Sequence, residues 1–77
     1  MRSLSAIARD IRADWKPVNY AAKPYLDAMS GLDSINDQYI YDSGRSIVLY
    51  FLSNASSWRG DKARTIKAEL KALLKGN

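Results

Sequence analysis

The sequence predicts an all-α protein, a compact bundle of about four short helices forming a single domain over residues 1–77. Three observations predict it. Apolar residues recur at helical spacing through most of the chain. The length and a composition of 47% hydrophobic and 26% charged side chains suffice for one modest core. There is no Cys, so no disulfide framework can stand in for that core.

The first helix covers residues 3–16. Leu4, Ile7, Ala8, Ile11 and Trp15 follow the i, i+3, i+4, i+7, i+11 series of one helical face. Ser3 is placed to cap it, and Pro17 stops it because the residue before a proline is driven out of the α region. After a connector over residues 18–23, Tyr25, Leu26, Met29 and Leu32 mark a shorter helix. Pro24 is accommodated in its first turn, and Gly31 suits a left-handed C-terminal position. Residues 33–42 lose the period and read as an ordered loop in which Ser34 followed by Asp37 resembles a weak capping box.

Residues 38–51 admit two readings. Tyr39, Ile40 and Tyr41, then Asp42, Ser43 and Gly44, then Ile47, Val48 and Tyr50 could form a β-hairpin. Val48, Phe51, Leu52, Ala55 and Trp58 continue at helical period beyond a hairpin's length, and an isolated hairpin is marginal. The helix is favoured, with Asp42 or Ser43 as its cap and its end near residues 54–57. The last helix carries the stripe Ala63, Ile66, Leu70, Leu73 and Leu74. Gly60 and Asp61 mark the junction before it, and Ser57 is the alternative cap.

The inventory of reactive groups argues against catalysis. There is no His, Glu69 is the one glutamate, and the seven aspartates are scattered along the chain. Without a thiol or an imidazole the usual nucleophile, neutral-pH base and soft metal ligands are missing, and the acids of residues 33–42 lack the spacing of an EF-hand. A non-enzymatic protein without cofactor or metal is expected. The longest apolar run, residues 47–52, is far short of the roughly 20 residues that span a bilayer. Arg9, Asp10, Arg12 and Asp14 interrupt any apolar stretch after Met1, so a cytoplasmic protein with no membrane partner is expected.

Charge is segregated along the chain. Residues 1–23 carry five basic and two acidic groups, residues 24–44 carry four acidic and no basic groups, and residues 45–77 carry seven basic and two acidic groups. Arg9, Arg12 and Lys16 share a face of the first helix, and Arg64, Lys67 and Lys71 share one on the last. These are candidate nucleic-acid or partner contacts if the two stripes lie side by side, and otherwise solvated faces. Tyr39 and Tyr41 stand among Asp33, Asp37 and Asp42, a candidate acidic surface for a basic protein partner. Trp15, Phe51 and Trp58 each continue an apolar face and are expected in the core.

The strings IRADWK (residues 11–16), PYLDAM (24–29), YDSGRSIVLYFL (41–52) and NASSWRGDKARTIK (54–67) together cover most of the chain. In this order they resemble a family of short uncharacterised proteins from bacteriophages, prophages and other mobile elements. The resemblance implies an origin and no mechanism, and it carries over no functional residues. Small phage proteins often bind and redirect a host or phage macromolecule, inhibition included. The expectation is therefore an accessory protein that docks on a host or phage protein. Nucleic-acid binding through the basic stripes is the alternative, and self-association of this chain is a third reading.

Overall fold

The computed structural model describes residues 2–76 and contains four helices, α1 (Leu4–Asp14), α2 (Lys23–Met29), α3 (Gly44–Ser53) and α4 (Asp61–Lys75). Two two-residue strands, β1 (Gln38–Tyr39) and β2 (Asp42–Ser43), precede α3 and pair antiparallel with Gln38 opposite Ser43 and Tyr39 opposite Asp42. The protein is thus mostly helical and not purely all-α, which corrects the fold class read from the sequence.

Local chemistry accounts for the helix ends. The Ser3 hydroxyl accepts the Ala6 N–H at 3.1 Å and satisfies one of the donors that a helix start leaves unpaired. The Leu4 and Ser5 N–H groups donate to the carbonyls of Asp33 and Leu32, at 3.1 and 2.9 Å, so the loop after α2 completes the cap. Helix α1 ends at Asp14, two residues earlier than expected, where Trp15 turns to an extended conformation. Helix α2 begins with Lys23 and Pro24, but Gly31 does not take the left-handed conformation expected of it. Ser30 is the C-cap, and its N–H and that of Gly31 bond back to Leu26 and Ala28. At α4 the cap position belongs to Gly60 rather than Ser57, and its φ of 113° is one that glycine adopts at little cost.

The favoured helix forms, starting at Gly44, and it takes in Ile47, Val48 and Tyr50, the second strand of the hairpin reading. A shorter and different hairpin precedes it: residues 38–39 pair with 42–43 around a turn at Ile40 and Tyr41, so Asp42 and Ser43 are strand residues rather than the turn. Ser43 is the hinge: it pairs with Gln38 across the hairpin, and its hydroxyl caps α3 by accepting the Ser46 N–H at 3.1 Å. Below the hairpin, the Asp37 carboxylate accepts the N–H groups of Asp33 and Ser34, at 2.9 and 3.2 Å, which is the return half of the capping box expected there. The Gly44 N–H then donates to the Asp37 carbonyl at 2.7 Å and the Arg45 N–H to that of Ile35 at 2.9 Å.

Long-range bonds give the layout. Ser5 meets Leu32 and Arg12 meets Asp27, so α1 and α2 are antiparallel. The Tyr25 and Tyr50 rings meet at a tilt with centres 5.4 Å apart while Ile35 meets Arg45, so α2 and α3 are antiparallel. Arg45 bonds the Leu74 carbonyl and Lys67 the Ala55 carbonyl, so α3 and α4 are antiparallel as well. The four helices run alternately down and up, with the hairpin at one end of the bundle and the α1–α2 and α3–α4 connections at the other. Between them lie Leu4, Ile7, Ile11, Leu26, Met29, Phe51, Ile66 and Leu70, all fully buried. The three aromatics lie in the core as expected, and they meet there: Trp15 stacks on Trp58 with ring centres 5.7 Å apart, and Phe51 meets both edge-on.

One backbone position is strained. Ile40, first of the two residues that link the strands, has φ of +53°, the left-handed region that a β-branched side chain rarely enters. A positive φ at that position alone is the pattern of a type II′ turn, which favours glycine there. Replacing Ile40 with Gly is therefore expected to stabilise the fold by about 1 kcal/mol. Equilibrium denaturation measures it, and a loss of stability would show that Ile40 contributes contacts outweighing the strain.

Candidate functional site

The basic residues named from the sequence fall on two separate flanks. On α1, Arg12 donates to the Asp27 carboxylate at 2.5 Å and to the Ser30 hydroxyl at 3.2 Å, so this stripe faces the α2 side. The opposite side of α1 meets α4: Arg2 bridges Asp10 of α1 and Glu69 of α4, and Lys62 lines a cleft with Asp10 and Asp14. On α4, Lys67 turns toward the C-terminal end of α3, and its Nζ donates to the carbonyls of Ala55 and Trp58 at 2.7 Å each. The α1 stripe thus borders α2 and the α4 stripe borders α3, with the α1–α4 contact between them. They do not merge into one face.

Several of these cations also have structural employment. Arg12 joins α1 to α2, and Arg64 pairs with Asp61 at 3.2 Å. Lys67 closes the α3–α4 connection and sits 5.8 Å from the Trp58 ring centre. Burial lowers the Lys67 pKa, and the neighbouring charges of Lys71 and Arg59 lower it further. Arg9, Lys16 and Lys71 remain exposed.

The acidic candidates divide in the same way. Asp37 is occupied by the loop backbone, while Asp33 and Asp42 are exposed. Tyr39 and Tyr41 are carried on the hairpin, and between them is Ile40, which the sequence reading did not single out as a site residue. Tyr41 is 92% and Ile40 71% exposed, and with Tyr39 they form a run of three among the large apolar side chains left at the surface. The signal was present in the string Tyr39-Ile40-Tyr41 ahead of Asp42-Ser43-Gly44, but only the hairpin turns it outward. Backbone bonds from Gly44 and Arg45 fix the hairpin to the 33–37 loop, so an apolar tip with Asp42 in it projects from a firm base.

At the other end of the bundle Arg12, Trp15, Lys16, Pro17, Val18 and Lys23 line a cleft of about 300 Å³. Lys16 and Lys23 form no ion pair among the described residues. No cluster of three or more His, Cys, Asp or Glu side chains is gathered among the described residues, and none of their helices is long and apolar enough to cross a membrane.

The Arg2 clamp is the strongest electrostatic feature. Its guanidinium reaches Glu69 through two bonds, of 3.0 and 2.7 Å, and also bonds Asp10. These bonds hold the Glu69 and Asp10 carboxyls below their ordinary range and raise the Arg2 pKa. With folded pKa values lowered, the unfolded chain binds more protons in acid, so this contribution is present above about pH 4 and lost as pH falls through the lowered values. Arg2→Ala is expected to lower the melting temperature by roughly 2–5 °C at neutral pH, a solvent-screened effect, and by progressively less as the pH is lowered through the carboxyl range. Thermal melts of both proteins across that range check it; a deficit unchanged in acid would assign Arg2 a packing role instead.

Comparison with known proteins found no matching family model, no matching curated protein and no matching solved structure. The chain's own surface is what bears on function.

Proposed function

We propose that this is a small non-enzymatic binding protein of a phage or mobile element, docking on a host or phage protein through the hairpin tip. The observation that carries the proposal is Ile40: a β-branched apolar side chain held in water on left-handed backbone, where glycine would be the more stable choice. A residue that costs stability and gains little burial of its own is accounted for by burial against something else. Tyr39 and Tyr41 flank it, and exposed tyrosines are favoured anchors of protein interfaces. Asp42, paired with Tyr39 across the hairpin, favours a partner whose apolar pocket has a basic rim. Phage origin rests on the sequence resemblance, and inhibition by steric cover of the partner is the simplest mechanism for a chain of this size.

The test is affinity capture from a host lysate at several salt concentrations with three baits: the native chain, the double variant Ile40→Gly with Tyr41→Ala, and Lys62→Ala as a surface control. The expected result is a partner retained by the native chain and the control and lost by the tip variant. Nothing recovered above background, or equal recovery by all three, would overturn the proposal.

Nucleic-acid binding required the two basic stripes to share a face, and they flank the α1–α4 contact on opposite sides, with Arg12 and Lys67 bonded within the protein. No mobility shift of duplex DNA is expected even at about 50 mM salt. A shift abolished by Lys71→Glu, which leaves the buried contacts of α4 untouched, would reverse this reading.

A further inference from the structure

We infer that a second copy of this chain is itself a partner of the tip: Ile40 and Tyr41 of one copy enter the cleft between the end of α1 and the start of α2 on the next, in a head-to-tail contact. The inference rests on the reading of the tip as a docking element. What it adds is the complementary socket.

The cleft has the converse chemistry of the tip. Its floor is apolar, built from Trp15, Pro17 and Val18, and its rim carries Lys16 and Lys23, with Arg12 already bonded to Asp27. At about 300 Å³ it lies at the lower limit of small-molecule pockets, a size suited to one or two protruding side chains. The tip offers an isoleucine and a tyrosine with Asp42 beside them, in a segment, residues 24–44, that holds no Lys or Arg. Apolar end meets apolar floor while the Asp42 carboxylate meets free ammonium groups, and rim pairs of this kind set orientation and association rate more than affinity.

Geometry makes the contact intermolecular. Helix α3 starts at the hairpin and ends where Phe51 meets Trp15, so its ten residues, about 15 Å, separate the tip from the cleft at opposite ends of the bundle. No chain can fill its own cleft. Two unlike patches at opposite ends give a heterologous contact that builds open chains or rings rather than a closed symmetric dimer. A tip in the neighbouring cleft is unavailable to any other protein, so assembly and partner capture compete.

The contact involves little more than one loop and one cleft, well under the roughly 800 Å² per partner of a standard interface, so it is expected to be weak and salt-sensitive. Sedimentation velocity from about 10 μM to about 1 mM tests it. The native chain is expected to grow beyond dimers with concentration at low salt and to shrink when salt is added. A tip variant, Ile40→Gly with Tyr41→Ala, and a socket variant, Lys16→Glu with Lys23→Glu, are each expected to stay monomeric and folded by circular dichroism. Mixed one to one they are expected to form a dimer that grows no further, because only one competent tip and one competent cleft remain. A native chain monomeric throughout, or a dimer that both variants retain, would overturn the inference. Native monomers together with tip-dependent capture of a lysate protein would leave the docking proposal standing. A mixed-variant dimer together with tip-independent capture would overturn the docking proposal alone.

Discussion

Replacing Trp58 with alanine is expected to cost about 3–5 kcal/mol, the range for truncating a large buried aromatic. For a chain of this length total stability is about 4–12 kcal/mol, so the loss removes about a quarter of it or more. Trp58 has few contacts with water and many with the bundle. Its ring stacks on Trp15, lies edge-on to Phe51, and donates its Nε1–H to Asp14 at 2.8 Å. Its carbonyl accepts from Lys67, which also holds the Ala55 carbonyl, so one position ties the α3–α4 connection to the end of α1 and to α4. Trp58→Phe keeps part of the stacking and loses the indole bond, and about 1–2 kcal/mol is expected for it. Denaturant unfolding followed by far-UV circular dichroism measures both. A loss below about 1 kcal/mol for Trp58→Ala would mean that the ring is not central to the core.

Gly44→Ala is expected to be nearly as damaging through one methyl group. A Cβ at this position would lie 2.7 Å from the Ser34 carbonyl oxygen and 2.9 Å from the Ile35 Cα. Both obstacles are backbone, and neither can rotate aside. The same backbone is held by the Gly44 and Arg45 N–H bonds, so relief would require breaking the ties that seat the hairpin. A cost of about 3 kcal/mol is expected, at the upper end for overpacking, with the 33–43 segment loosening first. Hydrogen exchange of the Gly44 and Arg45 amides reads this locally, alongside the global denaturation midpoint. A variant of native stability with both amides still protected would refute the close approach.

These two positions show how unevenly the fold could be read. Trp58 belongs to an apolar series at helical period, and a series of that kind reports burial directly, so its place in the core was legible. Gly44 read as a turn residue of the hairpin or as the first residue after the α3 cap, both of them local roles. Its actual constraint is the backbone of residues 34–35, and that neighbour comes from another segment. The hairpin that forms was not legible: the β-favouring residues suggested a turn at Asp42–Gly44, whereas the chain turns at Ile40 and Tyr41 and Ser43 both closes the hairpin and caps α3.

The candidate site divides along the same line. The acids and tyrosines of residues 33–42 could be named from composition and position, while Ile40 could not, because an isoleucine among tyrosines is ordinary until its φ and exposure are known. Arg12 and Lys67 looked like members of basic stripes, and each proved to be bonded to a group from another element. The cleft joins Arg12 of α1 and the connector residues 15–18 to Lys23 of α2, and its apolar floor includes a tryptophan that the helical pattern assigned to the core alone.

By itself the sequence determined the four amphipathic helices, most of their ends, the aromatic core and the separation of charge, since all of these follow from spacing and side-chain chemistry within a few residues. Tertiary structure alone decided that the basic stripes stand on opposite flanks, that Asp37 is taken by the backbone while Asp42 is exposed, and that Tyr39-Ile40-Tyr41 projects as a tip. The physical reason is that these properties depend on which helix packs beside which. That choice is made by the fit of whole apolar faces and by a few long-range bonds, and no local spacing records it.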